Sequence, residues 1–182
     1  MTKLVKLSKQ VNDLSKKLAK LEREKRIKQI KENNDKRKKR AVHLFILGNI
    51  FKYAEIDNIE EEILIGYCLT LKKINPLKLD QYKIIGKQIL AEKQIERDKK
   101  KEALKNNFFK KAEQVRDFSK KEYSRLIKLG AIFEMTKIDT VELATLFGFI
   151  LDFKNKNNID KNNFYIDGKV FKMKRNEKNF HK

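Results

Sequence analysis

Residues 44–71 read LFILGNIFKYAEIDNIEEEILIGYCLTL, and residues 126–153 read LIKLGAIFEMTKIDTVELATLFGFILDF. The correspondence holds at a constant offset of 82 from 44–87 to 126–169, without a gap, and 16 of the 44 positions are identical. An internal repeat has to be settled before any fold is assigned, because it makes the architecture a doubled one. The kept residues include Leu44/Leu126, Gly48/Gly130, Phe51/Phe133, Ile56/Ile138, Asp57/Asp139, Glu60/Glu142, Gly66/Gly148, Asn75/Asn157, Ile84/Ile166, Gly86/Gly168 and Lys87/Lys169. Most are apolar, glycine or capping residues. The duplication preserves a fold rather than a catalytic set.

Within each copy the periodicity is helical. Leu44, Leu47, Ile50, Phe51 and Ala54 fall on one face of a helix, as do Leu126, Leu129, Ile132 and Phe133. Asp57 followed by Glu60, and Asp139 followed by Glu142, then predict a capping box at the start of a second helix. Capping accounts for these paired carboxylates without invoking acid–base catalysis. The second helix, expected over 59–73 and 141–154, is apolar around most of its girth and should be the buried centre of each unit. Glycine in a helix costs about 1 kcal/mol relative to alanine. Its recurrence at Gly48, Gly66, Gly130 and Gly148 predicts close approach of the two helices of a unit. Asn75-Pro76 is expected to close the first unit. Residues 164–172 read alone as a hairpin around Asp167-Gly168, but the repeat favours a helix or turn, since the same slot in copy one is Ile85-Gly86 in a helical context.

Outside the repeats lie polar helical arms. Leu4, Leu7, Val11, Leu14, Leu18 and Leu21 are spaced 3, 4, 3, 4, 3, the a/d seam of a coiled coil, and Lys25 and Lys28 end it. The seam offers a homodimer contact, or packs on a second polar helix over 81–121 carrying Ile84, Ile85, Ile89, Ile95, Leu104, Phe108 and Val115, with Asn106-Asn107 as an interruption. The predicted fold class is therefore all-α: long basic coiled-coil-like helices joined to two tandem helix–turn–helix hairpin units. The expected segments are a basic coiled-coil arm (1–40), a first unit (41–90), a basic linker helix (91–122), a second unit (123–172) and a basic flexible tail (173–182).

Charge follows the same division. The chain carries a formal net charge of +20. Residues 1–40 hold 16 basic and 5 acidic groups, residues 41–90 hold 6 of each, and residues 154–182 hold 9 and 3. Neutral repeat cores flanked by basic arms are the electrostatic footprint of a polyanion binder. Codon drift in an A+T-rich genome is the bland alternative for a chain rich in Lys, Asn, Ile and Phe. An anionic membrane surface is a weaker option, because the basic helix lacks an aromatic-rich face to insert. The candidate phosphate contacts are Lys36, Arg37, Lys38, Lys39 and Arg40 before the first copy, and Lys120, Lys121, Arg125 and Lys128 at the second.

The single cysteine, Cys68, is matched by Ile150 and reads as a core position. One cysteine fits a reducing compartment, and with no secretory signal the expected location is cytoplasmic. The longest apolar run, 143–151, is too short to span a bilayer. No G-x-x-x-x-G-K-[ST] loop is present, since Gly86-Lys87 and Gly168-Lys169 lack the upstream glycine and the following Ser/Thr. His43 and His181 are the only histidines and lie far apart, so no metal or cofactor is expected. A tyrosine nucleophile for nicking DNA would want a histidine cluster, which is missing. No enzymatic activity is expected.

Each copy resembles the small TraD conjugal transfer proteins of Ti-plasmid type. Their pattern is a basic approach, an R-x-L-I-x-L-G-G-L helix, a turn, an L-L-G-A-L-L helix and a closing aromatic-x-x-x-G. Here it stands as Arg125-Leu126-Ile127-Lys128-Leu129-Gly130-Ala131-Ile132, Leu146-Phe147-Gly148-Phe149-Ile150-Leu151, and the pairs Tyr82/Gly86 and Phe164/Gly168. Asn49 and Ala131 replace the second glycine, Glu55 and Lys137 occupy the turn-glycine position, and two units stand where that family has one. The resemblance covers about half the chain. It implies an accessory protein of plasmid or integrative-element transfer that works beside a relaxase at the transfer origin, distinct from the large coupling ATPase of the same name. DNA and a relaxase or other conjugation proteins are the implied partners. A helical coiled-coil adaptor that binds proteins and not DNA is the alternative.

Overall fold

The computed structural model describes residues 3–105 and 120–180, with side chains at 14–99 and 120–178. The described residues are all-α, with no strand among them. Six helices follow in order: α1 (Lys3–Tyr53), α2 (Glu61–Thr70), α3 (Pro76–Lys105), α4 (Lys120–Met135), α5 (Leu143–Asp152) and α6 (Asn158–Phe180). Short 3-10 turns, Leu71–Lys73 and Phe153–Asn155, follow α2 and α5. The side chains of Leu4, Leu7, Val11, Leu104, Phe108 and Val115, the interruption at Asn106-Asn107, and His181 lie outside the described residues.

The chain divides into two compact units, 1–42 and 43–182. The first is the N-terminal stretch of α1, which contains no glycine or proline and is rich in the helix formers Lys, Arg and Leu. Its side chains from 14 to 40 are all exposed, and Leu14, Leu18 and Leu21 are 64%, 61% and 66% accessible.

The second unit holds both repeats. The expectation of two separate units, 41–90 and 123–172, gives way to one continuous core drawn from both copies. The cause is in the glycines. A Cβ on Gly48 would lie 1.9 Å from the Leu126 carbonyl oxygen, and one on Gly130 would lie 1.9 Å from that of Leu44. Gly66 meets the Phe164 carbonyl and Gly148 that of Tyr82; Gly86 meets Ala144 and Gly168 meets Glu62. All six glycines of the chain thus sit at backbone crossings, in three reciprocal pairs, and every crossing joins one copy to the other. The predicted close approach is real, but it lies between copies rather than within a unit. The C-terminal turns of α1 cross α4, α2 packs on α6, and α3 packs on α5.

This reciprocity defines a local twofold relation, the geometry of an isologous dimer interface folded into one chain. Residues nearest its axis touch their own counterparts. Phe51 stacks on Phe133 at 4.8 Å between ring centroids, and Tyr67 stacks on Phe149 at 4.3 Å. The Tyr67 hydroxyl donates to the Phe149 carbonyl at 2.7 Å, so the one polar tip at this crossing is satisfied. Burying side chains of this size stabilises by roughly 1.5–3 kcal/mol each. Cys68 is fully buried here, and burial pushes its thiol well above the usual range, away from the reactive thiolate.

The turns correct the local expectations. α1 and α4 end in matching Schellman motifs: Ile56 N–H donates to the Phe51 carbonyl and Glu55 N–H to that of Lys52, as Ile138 does to Phe133 and Lys137 to Glu134. Glu55 and Lys137 accordingly hold φ of 55° and 56°, the left-handed conformation that favours glycine. No capping box forms. The N-caps of α2 and α5 are Glu60 and Glu142, neither with a side-chain cap bond, because Ile59 and Val141 N–H groups are still bonded back to Ile56 and Ile138 and the helices start later. The second helices are also shorter than expected and finish in the 3-10 turns. Asn75-Pro76 opens α3 rather than merely closing a unit: Pro76 is its first residue, and the Asn75 side chain accepts from Leu77 N–H at 3.0 Å. Asn157 does the same for Asp160 N–H at 2.8 Å, which explains why this asparagine is kept. Residues 164–172 are helical, and α6 continues to Phe180, so residues 173–180 of the expected flexible tail extend that helix.

Candidate nucleic-acid interface

Several acidic groups of the second unit join the copies. Lys83 pairs with Glu142 at 2.6 Å, Lys154 with Glu55 at 2.8 Å, and Lys172 with Glu61 and Glu62 at 3.2 and 2.9 Å; Lys52 pairs with Glu122. Exposed pairs of this kind contribute about 0–1 kcal/mol each, so they set register more than stability. The kept acids find their use here. The hydrogen bond from Lys83, joined by the fields of Lys83 and Lys87, holds the Glu142 carboxyl below its ordinary range. Reciprocally, Lys169 is raised by Tyr165 and then by Glu62 and Glu60. Glu60/Glu142 and Lys87/Lys169 are therefore electrostatic neighbours across the copies, a role the capping reading missed.

Arg125 belongs to the same set. Its Nη2 donates to the Asp57 carbonyl at 2.6 Å, to Asp57 Oδ2 at 2.9 Å and to Asn58 Oδ1 at 2.8 Å. That fork clamps the turn after α1 onto α4, and it explains Asp57 without a cap. Of the cations expected at the second copy, Lys120, Lys121 and Lys128 are exposed on α4, while Arg125 is engaged in packing.

In the first unit Lys36, Arg37, Lys38, Lys39 and Arg40 are all exposed, within an unbroken helix. Helicity disperses them. Consecutive residues turn by about 100°, so a run of five points all round the axis and cannot face one duplex together. Phase selects a different row: Lys16, Lys20, Arg23, Lys31 and Lys38 share one side of α1, all exposed. At 1.5 Å per residue the row spans roughly 33 Å, close to one turn of B-DNA. The spacing of this row is legible in the sequence, unlike its exposure. Lys174, Arg175 and Lys178 belong to α6, at helical spacing and exposed.

Two apolar positions are exposed in both copies. Ile84 and its identical counterpart Ile166 are each 58% accessible, and Leu77 and Ile159 are more so. Among the described residues no group of three or more His, Cys, Asp or Glu side chains could hold a metal ion, and no helix is long and apolar enough to cross a membrane. No family model, no curated protein and no solved structure matches this chain.

Proposed function

We propose that this chain is a nonenzymatic DNA-binding accessory protein, of the kind the TraD resemblance implies for conjugative DNA transfer, working beside a relaxase. The observation that carries the reading is the separation of roles. A neutral core consumes its acids internally, while α1 presents an exposed basic row that has about the length of a duplex turn. Such cations neutralise phosphates and position the protein on the backbone without reading sequence. Neutralising five phosphates gives a log–log salt slope of about −4.5, a loss of roughly 500-fold in affinity between 50 and 200 mM salt. Changing Lys20, Lys31 and Lys38 to Gln should flatten that slope by about 2.7. Absence of binding at low salt, to transfer-origin and to random DNA alike, would reject the reading.

A second reading, a helical protein–protein adaptor, is favoured by the kept and exposed Ile84 and Ile166. Isoleucine held at an exposed site in both copies has no reason in the fold of the single chain. The salt titration separates the two readings, because an adaptor leaves DNA unbound.

A further inference from the structure

We infer that α1 is a self-association helix: its leucine seam takes the same seam of a second copy, in parallel alignment, and the basic row is left facing outward. Leu14, Leu18 and Leu21 are exposed on one side of a continuous helix, and Leu4, Leu7 and Val11 extend the a/d register in sequence. The basic row of Lys16, Lys20, Arg23, Lys31 and Lys38 lies on the opposite side by helical phase. A single leucine at such exposure needs no explanation; three exposed on one face, within a run of six apolar residues at strict 3–4 spacing, are a seam.

The occupant follows from charge and from the repeat. In this register Lys17 is a g position and Glu22 the e position five residues on, so parallel alignment places Lys17 of each copy against Glu22 of the other. The remaining g and e positions within the seam pair Gln10 with Ser15 and Lys3 with Ser8, with no like-charge clash. The second repeat offers no equivalent stripe, since positions 96, 100 and 103, at the offset of 82 from Leu14, Leu18 and Leu21, are Glu, Lys and Ala. Lys25 and Lys28 at the next a and d positions end the contact after three heptads, a short seam whose association is reversible. The inference deepens the DNA-binding reading, because a dimer carries two outward basic rows, but it is tested without DNA.

Sedimentation equilibrium of the full chain, in DNA-free buffer at moderate salt, should show the mass rising with concentration from 21.7 kDa towards twice that value. Leu14→Lys with Leu18→Lys should hold the mass at the monomer while helix content and the melting of the second unit stay unchanged. Lys17→Glu should weaken association at least several-fold, and adding Glu22→Lys should restore it. Leu21→Cys should form an interchain disulfide under mild oxidation, against a background in which Cys68 is buried. A mass of 21.7 kDa at every concentration, or equal association of the double Lys variant, overturns the seam. A Leu21→Cys variant that dimerises without cross-linking overturns the parallel alignment. None of these outcomes depends on whether the protein binds DNA.

Discussion

Gly48→Ala gives the sharpest test of the interleaved core, because the sign of its effect is reversed by the tertiary structure. In an isolated helix this change stabilises by about 1 kcal/mol. Here the new Cβ would meet Leu126 backbone at 1.9, 2.7 and 3.1 Å from O, C and Cα. No rotamer of a neighbour can relieve a clash with backbone. The α1–α4 crossing would have to open by roughly 1.5 Å to reach an ordinary contact of about 3.4 Å. Gaps of even 0.5–1 Å forfeit about a quarter to a half of the dispersion well. The opening would loosen the Phe51–Phe133 stack and the buried Leu44, Leu47, Leu126 and Ile132 around it. Overpacking of this kind costs about 1–3 kcal/mol and sometimes more; with only backbone to yield, about 3 kcal/mol is expected. For a unit of this size that lowers Tm by roughly 10 °C in a thermal melt followed by circular dichroism. Gly130 shares the crossing, with its Cβ position 3.0 Å from Gly48 N, so Gly130→Ala added to Gly48→Ala should cost far less than it does alone. A Gly48→Ala protein that melts at or above the parent temperature, or a double variant with additive losses, would refute the argument.

Lys137→Gly should stabilise by about 0.5–1 kcal/mol in urea unfolding, since relief of the left-handed strain (about 1–2 kcal/mol) exceeds the added backbone entropy of glycine; a destabilised variant would contradict the φ assigned there. Asp152 governs part of the acid response. Burial pushes its carboxyl up, but hydrogen bonds from Lys156, Tyr82 and Asn155 outweigh that and leave it below its ordinary value. Because the folded pKa is the lower one, its stabilisation is fully present above about pH 4 and is lost as pH falls through the folded pKa. Asp152→Asn should therefore narrow its stability gap from the parent protein below about pH 4, whereas parallel stability curves down to pH 2 would show that the carboxylate contributes nothing.

Much of this was legible in the residues. The 3.6-residue spacing of Leu44, Leu47, Phe51 and Ala54 fixed the helices, and the glycines announced close approach. The capping box failed because Asp-x-x-Glu reports what a helix start could use, while bonds from Ile59 and Val141 N–H back to the Ile56 and Ile138 carbonyls delay both helices, and in copy one Arg125, distant in sequence, takes Asp57. The dense cation run is spread round the helix, which the sequence count does not show. Composition counts charges, but a helix disperses consecutive ones and gathers those spaced by three, four or seven.

By itself the sequence determined helical class, the doubling at an offset of 82, the partition of charge between core and arms, and the leucine seam. These are local properties, carried by spacing and composition. Only the tertiary structure decided which helix each glycine notch receives. The two copies present nearly the same apolar faces, so packing within a copy and packing across copies satisfy the same pattern. The backbone crossings of Gly48 on Leu126, Gly66 on Phe164 and Gly86 on Ala144 break that degeneracy, and they make two repeats one fold.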